Sequence, residues 1–246
     1  MPTLLRRFFR PEPTSLTIAG PDGPVPVDIR RSAAAKRITL RVSSATGRVL
    51  LTLPARTAIE TARAFAEAQR GWIAARLAAL PDRLAFVDGT TVPIRGVPHL
   101  IRHEPGRGTT RTGRAPDGTL LLLVPGDPAA LPGRVRRHLA AEAGRDLRSA
   151  TERYATRLGL AARRVTIRDT RSRWGSCSST GALSFSWRLV LAPPDVLDYL
   201  AAHEVAHLRE LNHSDRFWSL LRELCPGTDA AERWLKRHGA GLHRYG

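Results

Sequence analysis

His203-Glu204-Val205-Ala206-His207, continued by Leu208-Arg209-Glu210-Leu211-Asn212-His213, is the stretch on which the reading of this 246-residue chain turns. On a helix, His203 and His207 stand at i and i+4, so their rings leave one face and can share a cation. Glu204 lies about 100° around the axis from His203. From there it falls short of the ion but reaches a water bound to it. Leu197, Leu200, Ala201, Val205 and Leu208 give the helix an apolar side, which places the histidines on a partly buried element. The plain alternative is two core or surface histidines with incidental helical spacing.

An open catalytic metal site takes three protein ligands and leaves a fourth position to solvent. His213 is the leading third candidate, provided the helix ends near Leu211 and the chain turns back. Asn212 tolerates left-handed geometry and is well placed for that turn. Glu210 is the rival if the helix runs on, since it then lies at i+7 from His203. Glu223 is a more distant rival. The spacing from His207 to His213 is that of the metzincins. However, Glu210 replaces their glycine, and Met1 is the only methionine, so there is no Met-turn and the chain is not a metzincin.

Working outward, Pro193-Pro194 opens the long helix, read through Asn212. Asp215 caps another helix to about Leu224, and Asp229 a last one to about His238. Upstream, 164–168 and 182–190 read as strands on either side of a turn-rich loop containing Arg173-Trp174-Gly175-Ser176-Cys177. Gly175 allows close backbone approach, and the following strand suits a cleft edge to which an extended peptide can add. Arg173 either stabilises an oxyanion or substrate carboxylate, or makes a structural salt bridge. Trp174 and Cys177 read as packing, and Cys225 as structural. Tyr199, at i−4 from His203, packs along the helix or donates toward the site. Phe217 and Trp218 anchor the turn that aims His213. His238 and His243 are further electrophile candidates near the C-terminus.

A helix fits Pro128 to Leu158, with Gly133 placed to break it. Strands are expected at 84–87 and 91–94 around Asp88-Gly89, and at 99–103 and 119–124 around a basic, glycine-rich loop, Arg102 to Arg114. Thr57 to Leu80 reads as a helix with Thr57 as cap, Glu60 three residues on, and Pro81 as terminator. Residues 25–30, 37–42 and 48–53 alternate as antiparallel strands, with a turn at Ala45-Thr46-Gly47. No internal repeat is evident. This order predicts an α+β fold: a flexible arm over 1–24, a β-rich N-terminal part with one helix over 25–126, and a helical part with a short sheet over 127–246.

Composition narrows the class. The chain is 42% hydrophobic and 25% charged, which excludes collagen-like, mucin-like and largely disordered proteins. Two cysteines exclude a disulfide framework and a four-cysteine zinc module. No run approaches the roughly 18 apolar residues of a membrane helix, and Arg6, Arg7 and Arg10 interrupt any leader-like segment. A cytoplasmic protein with free thiols and no membrane partner is the expectation. Lys+Arg is 39 and Asp+Glu 22, so the formal charge is 39 − 22 = +17. Only Lys36 and Lys236 are lysines. The arginines are scattered, and few aromatic residues lie among them, so no base-stacking platform is visible. The charge fits a GC-rich coding sequence as well as a nucleic-acid surface.

The motif and its surroundings carry a resemblance. Ser172-Arg173-Trp174-Gly175-Ser176-Cys177, Leu183 to Arg188, Leu189 to Pro193, Tyr199, the histidine pentapeptide, Asn212-His213-Ser214 and Phe217-Trp218 together resemble the YgjP-like metallopeptidases, relatives of the SprT-like and WLM zinc proteases. The likeness is strongest over 165–240 and looser over 25–160, where Arg37–Leu40, Arg48–Pro54 and Gly71-Trp72-Ile73 are similar to the family's leader. Ser186 departs from the asparagine usual before the Trp-Arg pair. The resemblance implies a zincin-like catalytic domain over 127–246. It also implies one Zn2+ held by His203, His207 and His213, with Glu204 catalytic.

The expected activity is therefore zinc-dependent peptide hydrolysis of the HExxH type, acting on a peptide or protein substrate. Zn2+ polarises the scissile carbonyl and activates water. Glu204 takes the proton and delivers it to the leaving amine, and Arg173 assists at the oxyanion. The alternative is a basic nucleic-acid-binding protein whose zinc is structural.

Overall fold

The computed structural model describes residues 14–21, 23–43, 46–80 and 82–246. Most of the expected arm (1–13), Ala45 of the expected turn, and Pro81 lie outside the described residues. The chain divides into two compact units, 1–80 and 81–246, each with its own core. The position near residue 127, expected as a domain boundary, falls inside the second unit.

The first unit is a four-stranded sheet with two helices. Strands β1 (Ser15–Gly20), β2 (Gly23–Ser32), β3 (Thr39–Val42) and β4 (Val49–Pro54) lie in the order β1-β2-β4-β3. Residues 15–20, read from sequence as loose arm, form a strand because Leu16 and Ile18 alternate inward and bury against Val27 and Leu51. β2 and β4 pair in parallel rather than antiparallel. The single helix expected over 57–80 is two, α1 (Ile59–Ala68) and α2 (Arg70–Ala78), interrupted at Gln69 with φ −96° and ψ 7°. Ala58 holds the N-cap position, without a side-chain hydrogen bond, so Thr57 is not the cap.

The second unit begins with β5 (Thr91–Ile94), β6 (Val97–Glu104), β7 (Arg111–Arg114) and β8 (Leu120–Pro125), ordered β5-β6-β8-β7. Leu84, expected in a strand, makes only an isolated bridge to Tyr245. β7 lies within the basic stretch read as loop. This sheet repeats the first one: outer antiparallel pairs flank a central parallel pair in both. In each, the strand before the helices ends in proline, Val49–Pro54 and Leu120–Pro125. The topology thus carries a repeat that the sequence reading missed, because strand pairing constrains alternation and not residue identity.

A 3-10 turn at Pro128–Ala130, capped by the Asp127 side chain, leads into α3 (Leu131–Arg157). This helix runs through Gly133 unbroken. Leu131, Val135, Leu139, Ala143, Leu147 and Ala150 bury one continuous stripe along it. Strands β9 (Arg164–Arg168), β10 (Gly175–Cys177) and β11 (Ala182–Ser186) form a small sheet in the order β10-β11-β9, leaving β10 at an edge. Trp187–Leu191, read as a continuation of β11, is a 3-10 turn. The Ser186 hydroxyl accepts from the Arg188 N–H at its start. Helices α4 (Pro194–Ala206), α5 (Asp215–Leu224) and α6 (Thr228–Leu242) complete the chain. Strands and helices coexist in sequence order, β-rich first, so the fold is α+β. Among the described residues no helix is long and apolar enough to cross a membrane.

Candidate metal centre

The site is built on α4 and the turn that follows it. The helix stops earlier than its sequence suggests: His207 is already the C-cap. The N–H groups of Leu208, Arg209 and Glu210 bond back to Val205 and Ala206 carbonyls in tight turns. Asn212 contributes by its side chain and not by a left-handed backbone. Its Oδ1 accepts from the Ser214 N–H at 3.2 Å, and among described residues other than glycine only Arg95 has a positive φ. The turned chain brings His213 back over α4.

Ring nitrogens of His203, His207 and His213 lie within 4.8 Å of one another. The Nε2 atoms of His203 and His213 are 3.2 Å apart. A tetrahedral divalent ion about 2.1 Å from two imidazole nitrogens holds them about 3.4 Å apart, so the spacing fits a bound cation. His207 Nδ1 sits 2.9 Å from the Glu210 carbonyl, which accepts its proton and leaves Nε2 as a free lone pair. Burial, reinforced by the neighbouring imidazoles, pushes the His203 pKa down to about 4, and burial also lowers that of His207. Both rings are therefore neutral at pH 7 and able to donate to a metal. Phe217 from α5 packs beneath all three, with ring centroids 4.9, 4.5 and 4.8 Å from His203, His207 and His213. Trp218 lies 5.8 Å from His213. Glu210 meets the cluster through its backbone carbonyl, and the Glu223 carbonyl accepts from Arg157. Neither carboxylate joins the group of donors.

Glu204 is buried, 4% exposed. Burial raises its pKa to about 7, and the Arg173 charge works against that rise. Its carboxylate lies against the Gly175 α-carbon: a Cβ on Gly175 would stand 2.4 Å from Glu204 Oε1. The sequence reading of Gly175 as a point of close approach matches this contact. Arg173 is exposed and acts on Glu204 through its charge. Burial and the Glu204 carboxylate keep the Cys177 thiol protonated, and Cys177 is not among the metal donors. Tyr199 meets His203 edge-on at 5.8 Å.

Two supports escaped sequence reading. His243 stacks on Trp174, centroids 4.7 Å apart at 24°. Gly239 of α6 packs on the same indole, where a Cβ would stand 3.1 Å from Trp174 Cζ2. Arg188 is wholly buried. It pairs with Asp169, lies 4.4 Å from the Trp187 ring centre, and donates to the Tyr245 carbonyl at 3.3 Å. The Trp-Arg pair in the sequence was the available signal, but its partners are far along the chain.

Three converging imidazole donors beside a buried carboxylate are the donor set of a metallohydrolase. The family model for the YgjP-like metallopeptidase domain matches residues 36–238. The chain belongs to the YgjP-like metallopeptidase family. Among solved structures, the crystal structure of the metallopeptidase zymogen of Pyrococcus abyssi abylysin is similar at 23% identity. The match covers 40% of this chain and 97% of that one, with a TM-score of 0.35. No curated protein matches the chain.

Proposed function

We propose that this metallopeptidase is a zinc-dependent endo- or exopeptidase of the HExxH type, with His203, His207 and His213 holding the ion and Glu204 as general base. The observation that carries the reading is the convergence of three imidazole donors next to one buried carboxylate. Bound there, zinc supplies Lewis acidity toward the scissile carbonyl and toward water. Glu204 does the proton work: a carboxyl with a pKa near 7 accepts a proton at Oε1 or Oε2 from the attacking water and returns it to the leaving amine. Arg173 offers positive charge to the oxyanion from the rim of the cleft. The free edge of β10 supplies main-chain donors and acceptors for an extended substrate. We assign these roles to the 127–246 segment and place the protein in the cytoplasm, in keeping with two free thiols.

The reading as a nucleic-acid binder with structural zinc needs a closed four-ligand site. Among the described residues the cluster has three donors, which supports the open, catalytic reading instead. The test is metal analysis and peptide turnover on the same samples. Glu204→Gln is expected to keep one zinc per chain and lose at least about 10³-fold in kcat. His207→Ala is expected to lose both zinc and turnover. Turnover retained in Glu204→Gln removes Glu204 from the chemistry.

A further inference from the structure

Two unlike surfaces share Gly175, the residue that abuts Glu204. On the α6 side lies a cavity of about 330 Å³ that reaches His203 and Glu204 and is walled by Trp174, Tyr199, Leu200 and Leu235. Its rim carries Glu232 and Lys236, paired with each other at 2.8 Å, so the pocket brings no net charge. The size is that of a side-chain or small-ligand pocket. Its walls favour an apolar or aromatic group.

On the sheet side lies a groove of about 520 Å³ along the outer face of β9, β10 and β11. Its floor is a rung of hydroxyls, because Ser176 pairs with Ser184 and Ser184 with Thr166 across the three strands. The Ser184 hydroxyl is buried without a hydrogen-bond partner. Arg168 and Arg173 flank this floor. Among the described residues ion pairs take up the guanidinium groups of Arg95, Arg153 and Arg188, but neither of these two. Arginines outside any ion pair, above a row of hydroxyl donors, are complementary to carboxylates. The formal charge of +17 draws acidic partners from solution in the same sense.

We propose that the substrate is a polypeptide segment carrying a large apolar side chain on one flank of the scissile bond and acidic side chains on the other. The apolar side chain enters the Trp174–Tyr199–Leu235 pocket, and the carboxylates lie along the Arg168–Arg173 groove. This inference rests on the peptidase reading of the centre, and names what that centre accepts.

The experiment uses the full chain loaded with zinc and a set of short peptides. Each carries Phe or Ala at its centre, with Asp or Asn runs on one flank and then on the other. Wild type is expected to favour Phe over Ala, and Asp over Asn in one of the two orientations, each by about tenfold or more in kcat/KM. The Asp preference should weaken as salt is raised. Leu235→Trp, which fills the pocket, should lower the Phe/Ala ratio about tenfold. Arg168→Glu should abolish or reverse the Asp/Asn ratio. Ratios are read because a merely unfolded variant lowers both members alike. Unchanged ratios in the two variants, or a wild type indifferent to both features, overturn the proposal. If wild type cleaves no peptide, the peptidase reading fails, and binding of the labelled peptides to Glu204→Gln protein decides the recognition separately. There, equal affinity for all peptides overturns it, as does displacement of the acidic peptide by a single-stranded DNA oligonucleotide that binds more tightly.

Discussion

Gly175 shows how a single hydrogen atom in place of a methyl group governs this centre. The Glu204 carboxylate occupies the space a Cβ would fill. Gly175→Ala must push the carboxylate, the strand, or both, and displacements of about 1 Å in a catalytic group cost on the order of 10²-fold. The expected outcome is a folded protein with normal zinc content and kcat/KM reduced by about 10²-fold or more. Metal analysis with turnover on one preparation checks it. The sequence marked Gly175 as a place of close approach but was silent on what approaches, since Glu204 is 29 positions away. His203, His207 and Glu204 were legible because helical periodicity alone sets their mutual directions. His213 was legible only as the first of three candidates, because its position depends on where α4 stops.

At the scale of elements, the end of α6 holds the wall of the cleft. His243 stacks on Trp174, and burial together with the charges of Arg188 and Arg171 lowers its pKa to about 4, against the opposing pull of Asp169. The ordinary histidine value is 6.5, so as pH falls the unfolded chain takes up this proton first. The contribution of a neutral His243 is therefore complete above about pH 6.5 and is lost as pH drops toward about 4. Stability should rise with pH across that window. His243→Phe keeps an aromatic stack and removes the proton, so its denaturation midpoint should depend less on pH between 4 and 6.5 than that of wild type. Equal slopes in the two proteins would remove His243 from the pH response. Helix existence was read well from sequence, and helix ends poorly. The break at Gln69 and the early stop at His207 arise from turn hydrogen bonds that no propensity encodes.

For the whole molecule, two separate cores suggest two separable foldings. The core of residues 81–246 joins β5, β6 and β8 to α3, α4 and α5. Its first and last segments are tied together: the Leu84 N–H bonds the Arg244 carbonyl at 2.8 Å, and the Gly246 N–H bonds the Leu84 carbonyl at 3.0 Å. The fragment 81–246 is expected to melt cooperatively and to bind one zinc. Removing Arg244–Gly246 from it should lower the midpoint by several degrees, corresponding to about 1–2 kcal/mol for two hydrogen bonds and their packing. Calorimetry of the two fragments, each with and without zinc, checks this, and a non-cooperative 81–246 fragment would sink it. The repeated strand order of the two sheets belongs to this scale as well. Pairing depends on alternation and turn length, which many sequences satisfy, so similarity of topology left no similarity obvious to the eye.

By itself the sequence determined the α+β character, the existence of a long helix reaching Leu158, and the same-face placement of two histidines beside a carboxylate. Each is a consequence of residues at most a few turns apart, where backbone geometry fixes direction. Only the tertiary structure decided that His213 converges on His203 and His207, that Gly175 abuts Glu204, and that Trp174 packs against both Gly239 and His243. Those approaches join segments tens of residues apart. They are set by how buried side chains fill the core, a balance of packing over the whole unit that no local stretch contains.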